Sequence, residues 1–139
     1  KWISYKGNLF ISIFFSLEKI NLSLKQLTRL NCMLVKKVLS NYYKKKIFIK
    51  NPNDLLINKK KISGILQETV VKKDIKFIII GIGINLVRKP TIKDYPTTSL
   101  YELTKIKYKK ENIENKIKLI FESFIPKLSK FNLNSIKTI

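Results

Sequence analysis

An α+β fold, with a mixed or antiparallel sheet flanked by helices, is what this 139-residue sequence predicts. Three observations carry it. Between residues 47 and 86, short runs of β-branched and aromatic residues alternate with polar turns, the pattern of successive strands joined by tight connections. Leu27, Leu30, Leu34, Val38 and Tyr42 recur at spacings of three and four, and so do Ile113, Ile117, Ile120, Phe121, Phe124 and Leu128. Those two apolar stripes mark two helices. With 45% hydrophobic residues the chain can also bury a core, which argues against disorder.

The elements follow in order. The segment Asn8 to Phe15, after Gly7, is rich in aromatic and β-branched residues and reads as a strand buried on at least one face. Ser23 with Gln26 three residues on is a capping-box signal opening a helix of roughly five turns through Tyr42, which Lys44 to Lys46 close with positive charge. Ile47 to Ile49 is a short strand, ended by the turn sequence Asn51-Pro52-Asn53-Asp54. Leu55 to Ile57 is the next, and Asn58 to Lys61 form a polar hairpin connection. Ile62 to Val71 and Lys76 to Leu86 are longer strands either side of a turn at Lys72-Lys73-Asp74. Val87 to Ser99, with Pro90 and Pro96, is a loop, and Leu100 to Thr104 a short helical turn. The last helix runs from Asn112 to Phe131, shortened or kinked by Pro126, which has no N–H to donate. Neither a repeat nor a low-complexity linker divides the chain, so residues 1–139 read as one domain. Its start at Lys1 and Trp2 reads as a cut N-terminus.

Composition excludes several chemistries. There is no His, which removes Ser-His-Asp and Cys-His catalysis and most zinc sites. The lone Cys32 excludes an internal disulfide and, in its apolar-periodic setting, reads as a buried free thiol. The longest apolar run, around Asn8 to Leu17, is too short to span a bilayer, so a soluble cytoplasmic protein is expected. The net charge of +20 fits a surface that attracts anions. Nearly all of it is lysine, with Arg29 and Arg88 the only arginines, alongside abundant Ile and Asn. That is the signature of compositional bias more than of a nucleic-acid reader, which favours the planar arginine fork. A basic nucleic-acid-binding module stays as the non-enzymatic alternative.

Three clusters carry candidate chemistry. In Asn51-Pro52-Asn53-Asp54 the carboxylate of Asp54, next to a strand, could hold a Mg²⁺ bridging phosphates, although the sequence is also a plain turn. In Lys60-Lys61-Ile62-Ser63-Gly64-Ile65-Leu66 an ammonium beside a glycine can grip a phosphate or carboxylate. In Gly81-Ile82-Gly83-Ile84-Asn85 the alternating glycines clear one face of a strand, leaving room for another backbone or a flat ligand. Leu86 stands where a dinucleotide fingerprint needs a third glycine, and a loop follows in place of a helix, so Rossmann binding is rejected.

In this order, the clusters resemble the catalytic core of the biotin–protein ligases. That family's pattern is approximately K-W-P-N-D-L, then K-[LI]-[AS]-G-I-L-x-E, then I-G-x-G-[IL]-N. Here these are Lys50 to Leu55, Lys61 to Glu68, and Ile80 to Asn85. Lys1-Trp2-Ile3-Ser4, Gly7-Asn8-Leu9 and Thr98-Ser99-Leu100 extend the likeness over nearly the whole chain. The resemblance implies the fold shared by biotin and lipoate ligases and class II aminoacyl-tRNA synthetases. It implies activation of biotin by ATP to biotinyl-adenylate, and transfer to a lysine of a biotin carboxyl carrier domain. By position Lys61 becomes the catalytic lysine contacting the biotin carboxylate and the α-phosphate. Trp2, Asn53, Asp54, Gly64, Ile65, Gly83 and Asn85 become substrate- and nucleotide-binding residues, with Asp54 associated with Mg²⁺. A homodimer is compatible with it, and a lipoate–protein ligase or lipoyl transferase is the nearest rival. Departures are Asn51 in place of the family tryptophan, and three family parts expected outside these 139 residues: the Gly-Arg-Gly biotin loop, the N-terminal helix-turn-helix and the SH3-like C-terminal domain.

Overall fold

The computed structural model describes residues 5–130. Trp2, expected beside the nucleotide, and Phe131, expected to end the last helix, lie outside the described residues. Five strands form one sheet: β1 (Leu9–Ser16), β2 (Phe48–Lys50), β3 (Asp54–Ile57), β4 (Lys60–Lys72) and β5 (Ile75–Ile84). Their order across the sheet is β1-β5-β4-β3-β2, and every neighbouring pair is antiparallel. The helices are α1 (Leu24–Leu39), α2 (Leu100–Thr104) and α3 (Lys110–Phe124), the last running into a 3₁₀ segment over Ile125–Lys130.

Both long hairpins are tighter than expected. Asn58 and Lys59 both have positive φ, as do Lys73 and Asp74. Two successive left-handed residues make the two-residue turn whose twist matches that of antiparallel strands. The β3–β4 connection is therefore Asn58-Lys59 alone, and Lys60 and Lys61, expected in the loop, belong to β4.

The capping box of α1 forms as expected: Gln26 N donates to Ser23 Oγ at 3.1 Å and Ser23 N donates to Gln26 Oε1 at 2.9 Å. The helix ends at Leu39, short of Tyr42. The reason is local. Ser40 Oγ bonds back to Lys36 O at 2.9 Å, and Asn41 and Tyr42 N–H groups turn to carbonyls three residues back. That tightening closes the helix. Lys44 still reaches it, donating Nζ to Ser40 O at 3.2 Å. In α3 the α-helical bonding stops at Phe124, two residues before Pro126, and the chain continues as 3₁₀.

One face of the sheet is covered. Ile78, Ile80, Ile82 and Ile84 of β5 are fully buried together with Leu55, Ile57, Ile62 and Ile65. Against them pack Leu27, Leu30, Leu34 and Val38 of α1 and Ile113, Ile117 and Phe121 of α3. Each such side chain contributes about 1.5–3 kcal/mol on leaving water. The opposite face has no helix on it among the described residues. There Phe10, Phe14 and Leu66 stay exposed (47%, 72% and 48%), and the glycines of β4 and β5 lie between them, Gly64 opposite Gly83 and Leu66 opposite Gly81. The result is two layers with one open sheet face.

Asn8 fastens the start of β1 to the chain that leaves its neighbour β5. Its Oδ1 accepts from three consecutive backbone N–H groups, those of Leu86, Val87 and Arg88 (3.1, 2.8 and 3.2 Å), while Nδ2 donates to Arg88 O at 2.7 Å. Gly7 delivers Asn8 with φ +91°, and a Cβ on Gly7 would stand 3.1 Å from Val87 Cγ2. Gly7→Ala is expected to lower stability by ~1–2 kcal/mol through strain at that φ, read as a lower urea midpoint with an unchanged m-value.

Candidate active site

The site is built by an irregularity in β4. Leu56 of β3 lies opposite Lys61, but Leu55 lies opposite Ser63, so Ile62 has no partner on β3. This is a β-bulge, two residues facing one. Without it, strict alternation would send Lys61 and Gly64 to opposite faces. With it, Ile62 and Ser63 both turn into the core, fully buried, and Lys61 emerges on the open face with Gly64. Asp54, opposite Gly64 in the ladder, arrives on the same face from β3.

Lys61 is held at its backbone as well. Where β5 ends, the Pro96–Thr98 stretch takes its place beside Lys61: Lys61 N donates to Pro96 O at 3.0 Å and Thr98 N donates to Lys61 O at 2.9 Å, a parallel bridge. That stretch is itself tied down. Asn85 Nδ2 donates to Thr98 O at 3.0 Å, and Thr98 Oγ1 donates to Glu102 Oε2 at 2.8 Å. Ser99 caps α2, its Oγ accepting from Glu102 N.

The Lys61 ammonium lies 3.1 Å from Asp54 Oδ1, the two side chains 16% and 24% exposed. It also stands 5.2 Å from the centroid of the Tyr95 ring, within cation–π range. Between them opens a cavity of about 70 Å³, lined by Asn53, Asp54, Lys61, Gly64, Ile65 and Gly81, with Phe10, Leu66 and Tyr95 at its sides. Pockets enclosing a whole small molecule run to roughly 300–1,000 Å³. This one has room for a carboxylate or phosphoryl group, and the rest of a ligand would extend across the open sheet face.

Of the expected site residues, Asn53, Asp54, Lys61, Gly64 and Ile65 meet at the cavity. Ile65 does so from a core-facing position: it is 1% exposed, opposite Ile82, and its N–H bonds Asn53 O at 2.9 Å. Gly83 and Asn85 do not line the cavity. Gly83 lies behind Gly64 and its carbonyl accepts from Ser63 Oγ at 2.7 Å. Asn85 is 1% exposed and holds Thr98, with its Oδ1 unpartnered. Sequence reading missed Tyr95, Phe10 and Leu66 as cavity residues, and it missed the bulge; Gly81 belongs to the glycine pair expected to clear that strand face. Tyr95 sits in an aperiodic loop, where no spacing could mark it.

Among the described residues Asp54 is the one carboxylate at the cavity. Among the described residues no group of three or more His, Cys, Asp and Glu could hold a metal ion. One carboxylate already paired with an ammonium does not make a resident metal centre. It suits a Mg²⁺ that arrives on a phosphate, which needs only one or two protein oxygens. Cys32 lies outside the chemistry: burial, reinforced by the negative charge of Asp54, pushes its thiol up to about 12. The buried thiol is thus protonated at neutral pH and a poor nucleophile.

Glu102 is the other shifted group. Its hydrogen bond from Lys89 (2.8 Å), with that from Thr98, holds its carboxyl below the usual glutamate value of 4.5. A depressed folded pKa gives stability that is present above the unfolded value and lost as pH falls through the folded one. Glu102→Gln should therefore flatten the acid limb of a pH–melting profile below about pH 4.5. The change at neutral pH should be slight, because the pair is exposed.

The cavity thus sets a fixed cation beside a carboxylate, over a glycine floor on the open face of an antiparallel sheet. The chain belongs to the biotin/lipoate A/B protein ligase family, whose model matches residues 1–85. It is 41% identical over 81 residues to the bifunctional ligase/repressor BirA of Bacillus subtilis, covering 53% of this chain and 24% of that protein. To BirA of Escherichia coli it is 34% identical over 91 residues, 64% of this chain and 28% of the relative. The alignments thus span about a quarter of these relatives' length. The fold matches the biotin protein ligase of Aquifex aeolicus in complex with biotin and ATP. That match has a TM-score of 0.80 at 27% identity, over 99% of this chain and 57% of that one.

Proposed function

We propose that this chain carries the catalytic core of a biotin–protein ligase. The observation that carries the reading is the placement of Lys61 on the open face, beside Asp54 and over Gly64 and Gly81. Family membership and the similarity to a biotin protein ligase solved in complex with biotin and ATP support biotin and ATP as the substrates. In the first step a carboxylate oxygen of biotin attacks the α-phosphorus of ATP, and the bond to the β-phosphate oxygen breaks, giving biotinyl-adenylate and pyrophosphate. Two anions must meet for that, and a fixed ammonium stabilises the crowded negative charge most in the transition state. In the second step the amine of a carrier lysine attacks the acyl carbon and AMP leaves. The acyl-adenylate is a mixed anhydride with a good leaving group.

In this reading Lys61 is catalytic, and Asn53, Asp54, Gly64 and Ile65 bind substrate, with Mg²⁺ entering as MgATP. Trp2, Gly83 and Asn85 keep the nucleotide roles that their positions imply. Asn85 could take one through its unpartnered Oδ1. The acceptor is a biotin carboxyl carrier domain, drawn by the lysine-rich surface if it is acidic. A homodimer and a cytoplasmic location belong to the same reading. No helix among the described residues is long and apolar enough to cross a membrane.

Pyrophosphate release by the full protein supplied with MgATP and either biotin or lipoate tests the substrate. Release with biotin is expected, and release with lipoate alone would overturn the choice. Lys61→Ala should lower adenylate formation about 10²–10³-fold, the scale of a lost transition-state charge contact, with the melting temperature little changed. Turnover near that of the parent would remove Lys61 from its role.

A further inference from the structure

The loop over residues 87–99 carries no chemical motif, yet it puts one aromatic ring against the ammonium of Lys61. We propose that Tyr95 is a positioning residue for Lys61, its ring holding the ammonium in the cavity without setting a negative charge beside an incoming anion. The proposal rests on reading the cavity as the site where carboxylate and phosphate meet.

Asp54 at 3.1 Å anchors the ammonium but carries a negative charge that repels any anionic substrate. An aromatic face attracts a cation through its quadrupole and brings no net charge. The ring therefore restrains Lys61 without opposing the approach of an anion. The contact is also built in. Tyr95 immediately precedes Pro96, whose carbonyl accepts from Lys61 N at 3.0 Å, and the next bond, Thr98 N to Lys61 O at 2.9 Å, closes the same ladder. A residue before proline is confined to extended backbone. The backbone that grips Lys61 therefore also sets where the Tyr95 ring stands.

The test compares the parent with Tyr95→Phe and Tyr95→Leu. Labelling the lysines with ¹³C at Cε leaves the ammonium intact, and Lys61→Arg identifies the Lys61 signal by its loss. In the parent that signal should lie upfield of the exposed lysines through the ring current, stay there in Tyr95→Phe and move to the exposed position in Tyr95→Leu. Titration of the Lys61 signal with inorganic pyrophosphate should show affinity about five- to tenfold weaker in Tyr95→Leu and unchanged in Tyr95→Phe. With biotin and MgATP, Tyr95→Leu should lower kcat by a similar factor with biotin KM nearly constant. Tyr95 is partly exposed, so equal melting temperatures are expected and would exclude a folding defect. A parent Lys61 signal at the exposed position, or equal pyrophosphate affinity in parent and Tyr95→Leu, overturns the proposal. If the parent releases no pyrophosphate with biotin, the biotin reading falls. The Lys61 Cε signal and the pyrophosphate titration then still decide the role of Tyr95.

Discussion

The bulge at Ile62 is the constraint on which the site depends. A β-strand alternates its side chains strictly, so two residues three apart in sequence cannot share a face of a regular strand. Lys61 and Gly64 do share one, and they can because Ile62 and Ser63 together face Leu55. The unpaired residue is paid for by burial: Ile62 enters the core completely. One extra residue thus brings to the open face a lysine that regular pairing would point at the helices.

The rest of the molecule keeps that face open and that lysine still. The helices α1 and α3 cover the opposite side, where the isoleucines of β5 lie, so the hydrophobic energy of the fold is gathered on one side of the sheet. On the other side Gly64 and Gly81 have no side chains to fill the cavity. Asn8 and Asn85 act from beneath. The first ties the start of β1 to the chain leaving β5, and the second ties the end of β5 to the stretch that grips Lys61.

How much of this was legible in the sequence divides along physical lines. The strands, the capping box, the short helix at Leu100–Thr104 and the effect of Pro126 were readable because each rests on local periodicity or on a residue with one structural meaning. Helix α1 ran shorter than its apolar stripe, because the bonding of Ser40 to Lys36 competes with helix continuation, and Tyr42 keeps an apolar setting against Tyr108 without being helical. Asn53, Asp54, Lys61, Gly64 and Ile65, singled out by the motifs, line one cavity. The bulge was not legible, since it is a property of two strands' register and β4 alone does not show it. Nor was Tyr95, whose partner is 34 residues away (95 minus 61) and is reached through backbone pairing.

The strong positive charge raises the question of why one lysine among so many should matter. At physiological ionic strength the field of an exposed charge fades over about 8 Å. The surface lysines give the molecule a general attraction for anions and no address for one. A mobile side chain must also lose rotamer freedom, worth up to about 2 kcal/mol, before it can hold a ligand at a defined point. Lys61 has lost that freedom in the folded state: it is largely buried, paired with Asp54, set against Tyr95 and gripped at both backbone atoms. The same ordering that makes Asp54 a restraint also makes it a competitor for the ammonium. An anion that enters must take over part of that pairing, and the uncharged ring is the restraint that does not have to yield.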